Sequence, residues 1–120
     1  MALRYHAAME LYGIKSCDTC RKARKWLDEQ GRAHEWHDLR EDGIDSDRID
    51  RWLAAVGTET LVNRRSTTWR GLDEKARAKA MDPRTAAAVL VEHPTLIKRP
   101  VIESRGKVLV GFNAAVRDAL

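Results

Sequence analysis

Cys17-Asp18-Thr19-Cys20 contains the only two cysteines of the 120-residue chain. The pair lies between a short strand-like run, Leu11-Tyr12-Gly13-Ile14, and a basic amphipathic segment, Arg21 to Gln30. This context predicts a strand, a tight turn and a helix with a cysteine at its start. Free backbone N–H groups and the partial positive charge of a helix start favour a thiolate over a thiol. The chemistry expected is nucleophilic attack by sulfur at neutral pH. Two alternatives stand beside it. His34 and His37 could complete a Cys2His2 zinc set, although their spacing falls short of the usual finger pattern. The cysteines could also be incidental.

Composition narrows the setting. Hydrophobic residues make up 43% of the chain and charged residues 33%, as in an ordinary globular protein. No apolar run approaches the roughly 18 residues of a membrane span; the longest is Ala86 to Val91. The first nine residues, MALRYHAAM, lack the apolar stretch of a secretory signal. Residues 1–8 read as a loosely packed extension and Met9 as the start of the folded unit. The expected location is cytoplasmic, where structural disulfides are rare. The net charge of +4 suits a small anionic ligand or an acidic partner. No concentrated basic stripe or helix-turn-helix pattern points to nucleic acid.

The elements that must position the cysteines follow from periodicity. Strands are expected at Glu10–Ile14 and His34–Asp38, on either side of a helix that begins at Cys17 or Asp18 and ends at Gly31. Asp45 or Ser46 caps a helix with Ile49, Trp52, Leu53 and Val56 on one face, and Gly57 ends it. Further helical stretches are expected at 59–63, 72–80 and from Asp82-Pro83 to Glu92, with Thr67 and Thr68 as caps. Val101-Ile102-Glu103 and Val108-Leu109-Val110 flank Ser104-Arg105-Gly106-Lys107, a hairpin signal, and Asn113 caps a last helix. Strand–helix–strand, several helices, then strand–strand–helix describe an α/β chain. A right-handed βαβ unit makes the first two strands parallel, and the hairpin adds antiparallel neighbours. The expected fold is thioredoxin-like, with a mixed four-stranded sheet and a helical insertion at about residues 44–93 of one domain spanning 9–120.

Four motifs, in order, resemble the arsenate reductase (ArsC)/Spx family, and in particular its YffB-like branch. They are YGIKSCDTC with RKARKWL, LVNRRSTTWRGLDE, HPTLIKRPVI and LVGF. The resemblance covers residues 9–120. It implies that Cys17 is the nucleophile and that Arg99 and Pro100 form the family's Arg-Pro motif, with Pro100 cis beside the active site. It aligns a family arginine with Asn63, leaving Arg64 or Arg65 to substitute. A third family arginine falls at Gly111-Phe112, which argues against arsenate as substrate.

The activity implied is a glutathione-dependent thiol reductase or transferase, with no tightly bound cofactor and no metal. Arg21, Arg99 and Arg65 favour the Cys17 thiolate, and Asp18 opposes it. Glutathione or a glutaredoxin resolves the mixed species, or Cys20 does so internally. Lys15, Arg64, Arg65 and Lys98, with Pro100 nearby, are the expected glutathione-binding positions. The same family implies two other readings: a redox regulator that binds the RNA polymerase α subunit, and a true arsenate reductase.

Overall fold

A computed structural model describes residues 9–120. The expected N-terminal extension lies outside the described residues. The elements run β1 (Met9–Gly13), α1 (Asp18–Glu29), β2 (Glu35–Asp38), α2 (Ser46–Val56), α3 (Thr58–Leu61), α4 (Thr67–Arg70), α5 (Glu74–Met81), α6 (Ala86–Glu92), a 3-10 turn (Pro94–Leu96), β3 (Val101–Ser104), β4 (Lys107–Val110) and α7 (Ala114–Ala119). They divide into two compact units: residues 9–42 with 99–120, and residues 43–98.

The first unit is a thioredoxin-like α/β fold. Its sheet has the order β2-β1-β3-β4. β1 pairs parallel with β2 and antiparallel with β3, and β3 pairs antiparallel with β4. Side chains alternate across a sheet, so register decides which residues share a face. Leu11 stands between Trp36 and Ile102, and Ile102 stands beside Leu109. This row meets Ala23 and Leu27 of α1 and Val116 of α7, with Trp26 and Phe112 packed at the edge. The opposite face carries Glu10, Tyr12, Glu35 and His37; His37 bonds Glu10 at 2.8 Å and stacks on Tyr12.

Local chemistry sets the ends of these elements. Arg105 and Gly106 both have positive φ, 52° and 79°, the backbone that a two-residue hairpin turn needs. The Asn113 side chain accepts the Val116 N–H at 2.9 Å and starts α7. At the end of α1, Gln30 is the last cap residue and Gly31 takes φ +66°.

The second unit is helical. Trp52, Ile49, Leu61, Leu90 and Leu96 are fully buried in it, and α6 packs against both α2 and α5. Three expectations change here. Residues 67–70 form a helical turn capped by Ser66, whose hydroxyl accepts the Trp69 N–H at 3.1 Å; Thr68 instead bonds the Thr95 hydroxyl at 2.6 Å. The next helix starts at Glu74, because Asp73 takes the Ala76 N–H. Asp82-Pro83 does not open α6. Asp82 binds Arg84 through its main-chain and side-chain N–H groups, and its carbonyl accepts the Thr85 and Ala86 N–H groups, which makes a separate turn before Ala86. No helix among the described residues is long and apolar enough to cross a membrane.

Leu27 is fully buried between α1 and the sheet. Leu27→Ala is expected to lower stability by about 2–5 kcal/mol, the usual cost of an aliphatic core truncation. Asn113→Ala should cost about 1 kcal/mol through the lost cap. The shift in urea midpoint measures both.

Candidate active site around Cys17

The site starts from a glycine. β1 ends at Gly13, and a Cβ there would overlap Cys20 Sγ and stand 3.0 Å from the Trp36 ring. Only a residue without a side chain lets the first turn of α1 lie this close to β1. The chain then turns through Ile14, Lys15 and Ser16, closed by the Cys17 N–H donating to the Ile14 carbonyl at 3.0 Å. Cys17 becomes the N-cap residue of α1, with extended backbone. Cys17 is half-buried, whereas Cys20, one turn on, is fully buried. Both are free thiols.

The two thiols are unequal. Partial burial works against ionisation of Cys17, but the Cys20 N–H, the Cys20 thiol and the Arg99 guanidinium together outweigh it. Cys17 therefore lies below the ordinary thiol value. For Cys20, burial dominates and pushes the thiol up to about 12, with the charge on Cys17 acting in the same direction. An Ile14 N–H and Arg99 pull the other way without reversing this. Of the two, Cys17 is thus the thiol whose ionised form is favoured and Cys20 the one that keeps its proton, and the Cys20 S–H supports the Cys17 thiolate.

Arg99 reaches this site from far along the chain, two residues before β3. The Arg99–Pro100 peptide bond is cis, Pro100 is fully buried, and its carbonyl accepts the Gly111 N–H at 2.8 Å. Gly111, where the family resemblance places a third arginine, has φ +88° and no side chain. Arg21 does not act on Cys17 as expected. It pairs with Asp18, and its remaining bond is to the Lys15 carbonyl at 3.5 Å. The helper and the opponent expected in the first turn cancel each other.

Lys15 lies two residues before Cys17, but its ammonium pairs with Glu41, which raises its pKa. Both border a shallow hollow of about 400 Å³ with Ile14, Ser16, Asp38 and Arg40. Arg64, Arg65 and Lys98 belong to the second unit. An antiparallel bridge between Val62 and Ile97 brings their backbones together, and all three line a hollow of about 550 Å³ with Glu59 and Asn63. Arg64 pairs with Glu59 at 3.0 Å. Asn63 shapes the turn instead, accepting the Arg65 N–H at 3.0 Å through its side chain.

Two further residues shape this site. Gly13 carried a signal, a glycine at the end of the strand that precedes the cysteines. Asp38 carried almost none. It is 3% exposed, yet its carboxylate accepts the Lys15, Arg40 and Glu41 N–H groups, each at 2.9 Å. Burial opposes its charge, but these N–H donors win and hold the carboxyl below the usual range.

The fold and the thiol pair define a thioredoxin-like protein with a Cys-x-x-Cys at the start of its first helix and a cis-proline at the start of its third strand. The chain belongs to the ArsC family, whose model matches residues 12–120. An uncharacterized protein of Haemophilus influenzae is 50% identical over 103 residues, covering 86% of this chain and 90% of that protein. The global transcriptional regulator Spx of Streptococcus agalactiae is 30% identical over 109 residues, covering 86% and 75%. The solved structure of a YFFB protein superposes with a TM-score of 0.86 at 45% identity, covering 92% and 96%.

Iodoacetamide is expected to alkylate Cys17 alone in the folded protein, with a midpoint below that of an ordinary thiol. Arg99→Ala removes a positive charge that favours the thiolate, so the midpoint should rise. Gly13→Ala must displace Cys20 and should cost about 1–3 kcal/mol, typical of overpacking. Mass spectrometry across a pH series and a thermal melt measure these effects.

Proposed function

We propose that this protein is a glutathione-dependent thiol reductase or transferase with Cys17 as its single nucleophile. The observation that supports this reading is the asymmetry of the pair: a half-buried Cys17 favoured as thiolate beside a buried Cys20 that keeps its proton. The Cys17 thiolate attacks one sulfur of a disulfide, and a new S–S bond forms as the other sulfur leaves as thiolate. A thiolate from glutathione or a glutaredoxin then attacks the mixed disulfide and returns Cys17. Arg99 stabilises the departing and returning charge at Cys17. Lys15, Arg64, Arg65 and Lys98 are the candidate anchors for the carboxylates of glutathione. Cys20 acts as a hydrogen-bond donor to the thiolate, and its burial and high pKa disfavour it as a resolving nucleophile.

The test uses reduced protein and oxidised glutathione, with intact-mass detection. Wild type and Cys20→Ser should each gain one glutathionyl group, and Cys17→Ser none. An adduct forming on Cys17→Ser at the wild-type rate overturns the assignment. Arg65→Ala and Lys98→Ala should raise KM for the glutathionylated substrate with little change in kcat if these residues bind without taking part in the chemistry.

The likeness to Spx favours a second reading, a redox regulator that binds the RNA polymerase α subunit. Stoichiometric capture by the α C-terminal domain, together with no glutathione-coupled turnover, would establish it over the first.

A further inference from the structure

We propose that Asp38, through its bond to the Lys15 N–H, is the positioning residue that holds the Cys17 turn in its reactive shape. The inference rests on Cys17 being the nucleophile and adds what fixes it in place. The turn at residues 14–17 has one closing bond of its own, Cys17 N–H to the Ile14 carbonyl. That bond leaves Lys15 and Ser16, the two residues inside the turn, without main-chain restraint from the turn itself. Asp38 supplies the restraint at Lys15: Oδ2 accepts the Lys15 N–H at 2.9 Å, while Oδ1 accepts the Arg40 and Glu41 N–H groups.

The clamp is itself anchored. Leu39 N–H donates to the Gly13 carbonyl at 2.8 Å, which ties the residue after Asp38 to the residue before the turn. Asp42 accepts the Asp38 N–H at 3.0 Å and returns its own N–H to the Asp38 carbonyl at 2.9 Å. A buried carboxylate with three main-chain donors cannot leave without stranding them. The end of β2 therefore dictates where the end of β1 releases the chain into α1. Ordinary strand pairing stops at Asp38, opposite Gly13, so these bonds extend the β1–β2 contact past the sheet. A small displacement at Lys15 is carried two residues on to Cys17, where the thiolate depends on bonds from Cys20 and Arg99 that a misplaced sulfur does not make.

Asp38→Asn separates this role from a simple charge effect. Neutralising a carboxylate near a thiol favours the thiolate and lowers its titration midpoint. Loss of the clamp does the opposite. Asparagine keeps the size and one acceptor oxygen but must turn an NH2 group toward a main-chain donor. The expected result is a rise of about one pH unit in the Cys17 alkylation midpoint, and so an about tenfold slower reaction at neutral pH. Asp42→Ala loses the bond to the Asp38 N–H without touching Lys15. It should lower thermal stability and leave the Cys17 midpoint in place.

An Asp38→Asn protein with reduced stability but an unchanged or lowered midpoint overturns the proposal. Hydrogen exchange on wild type tests the clamp without any variant: the Lys15 amide should be strongly protected although its side chain is exposed. Exchange at the rate of an open loop overturns the proposal whatever the variants do. Wild-type Cys17 that fails to react below the ordinary thiol range refutes the nucleophile assignment, a result distinct from either of these.

Discussion

The contact between Cys20 Sγ and the backbone of Gly13 sets the height of α1 above the sheet, and the chemistry of the site depends on that height. With the helix this close, Cys20 is sealed from water and keeps its proton to about 12. A protonated sulfur one turn from the helix start is a donor aimed at Cys17. A side chain at residue 13 would lift the helix, admit water to Cys20 and weaken the same hydrogen bond. The activated thiol of this protein is thus a consequence of close packing as much as of charge.

Charge enters in a selective way. Lys15 with Glu41, Arg21 with Asp18, and Arg64 with Glu59 are exposed pairs, and such pairs contribute little to stability. Three of the basic groups that the sequence singles out are engaged in this way. Arg99 remains as the guanidinium that acts on Cys17. A cation two residues before β3, next to a buried proline, has few ways to move away, so its field is steadier than that of a flexible surface lysine.

Strand and helix periodicity made most of the first unit readable. The Tyr, Leu and Ile run around β1, the cap at Asn113, and the Arg105-Gly106 turn all have local causes, and local causes are visible in sequence. The region of α4 to α6 was harder. Ser66, Thr67 and Thr68 are all competent caps, and which one serves depends on Thr68 being drawn to Thr95. Asp82-Pro83 reads as a helix start until Arg84 turns back onto the aspartate. In both places a contact between side chains decided among near-equal local choices.

The candidate site divides along the same line. The sequence by itself determined the place of the two cysteines, the helix that starts between them, and, through a family resemblance, Arg99 and Pro100 as distant candidates. Those are matters of residue type, short spacing and motif. The tertiary structure alone decided that Cys20 is sealed, that Arg21 is spent on Asp18, that Lys15 turns to Glu41, and that Asp38 reaches back to the Cys17 turn. Each of these is a competition between partners distant in the chain or a question of access to water. Such outcomes depend on which groups the fold brings within hydrogen-bond reach, and no local pattern encodes that distance.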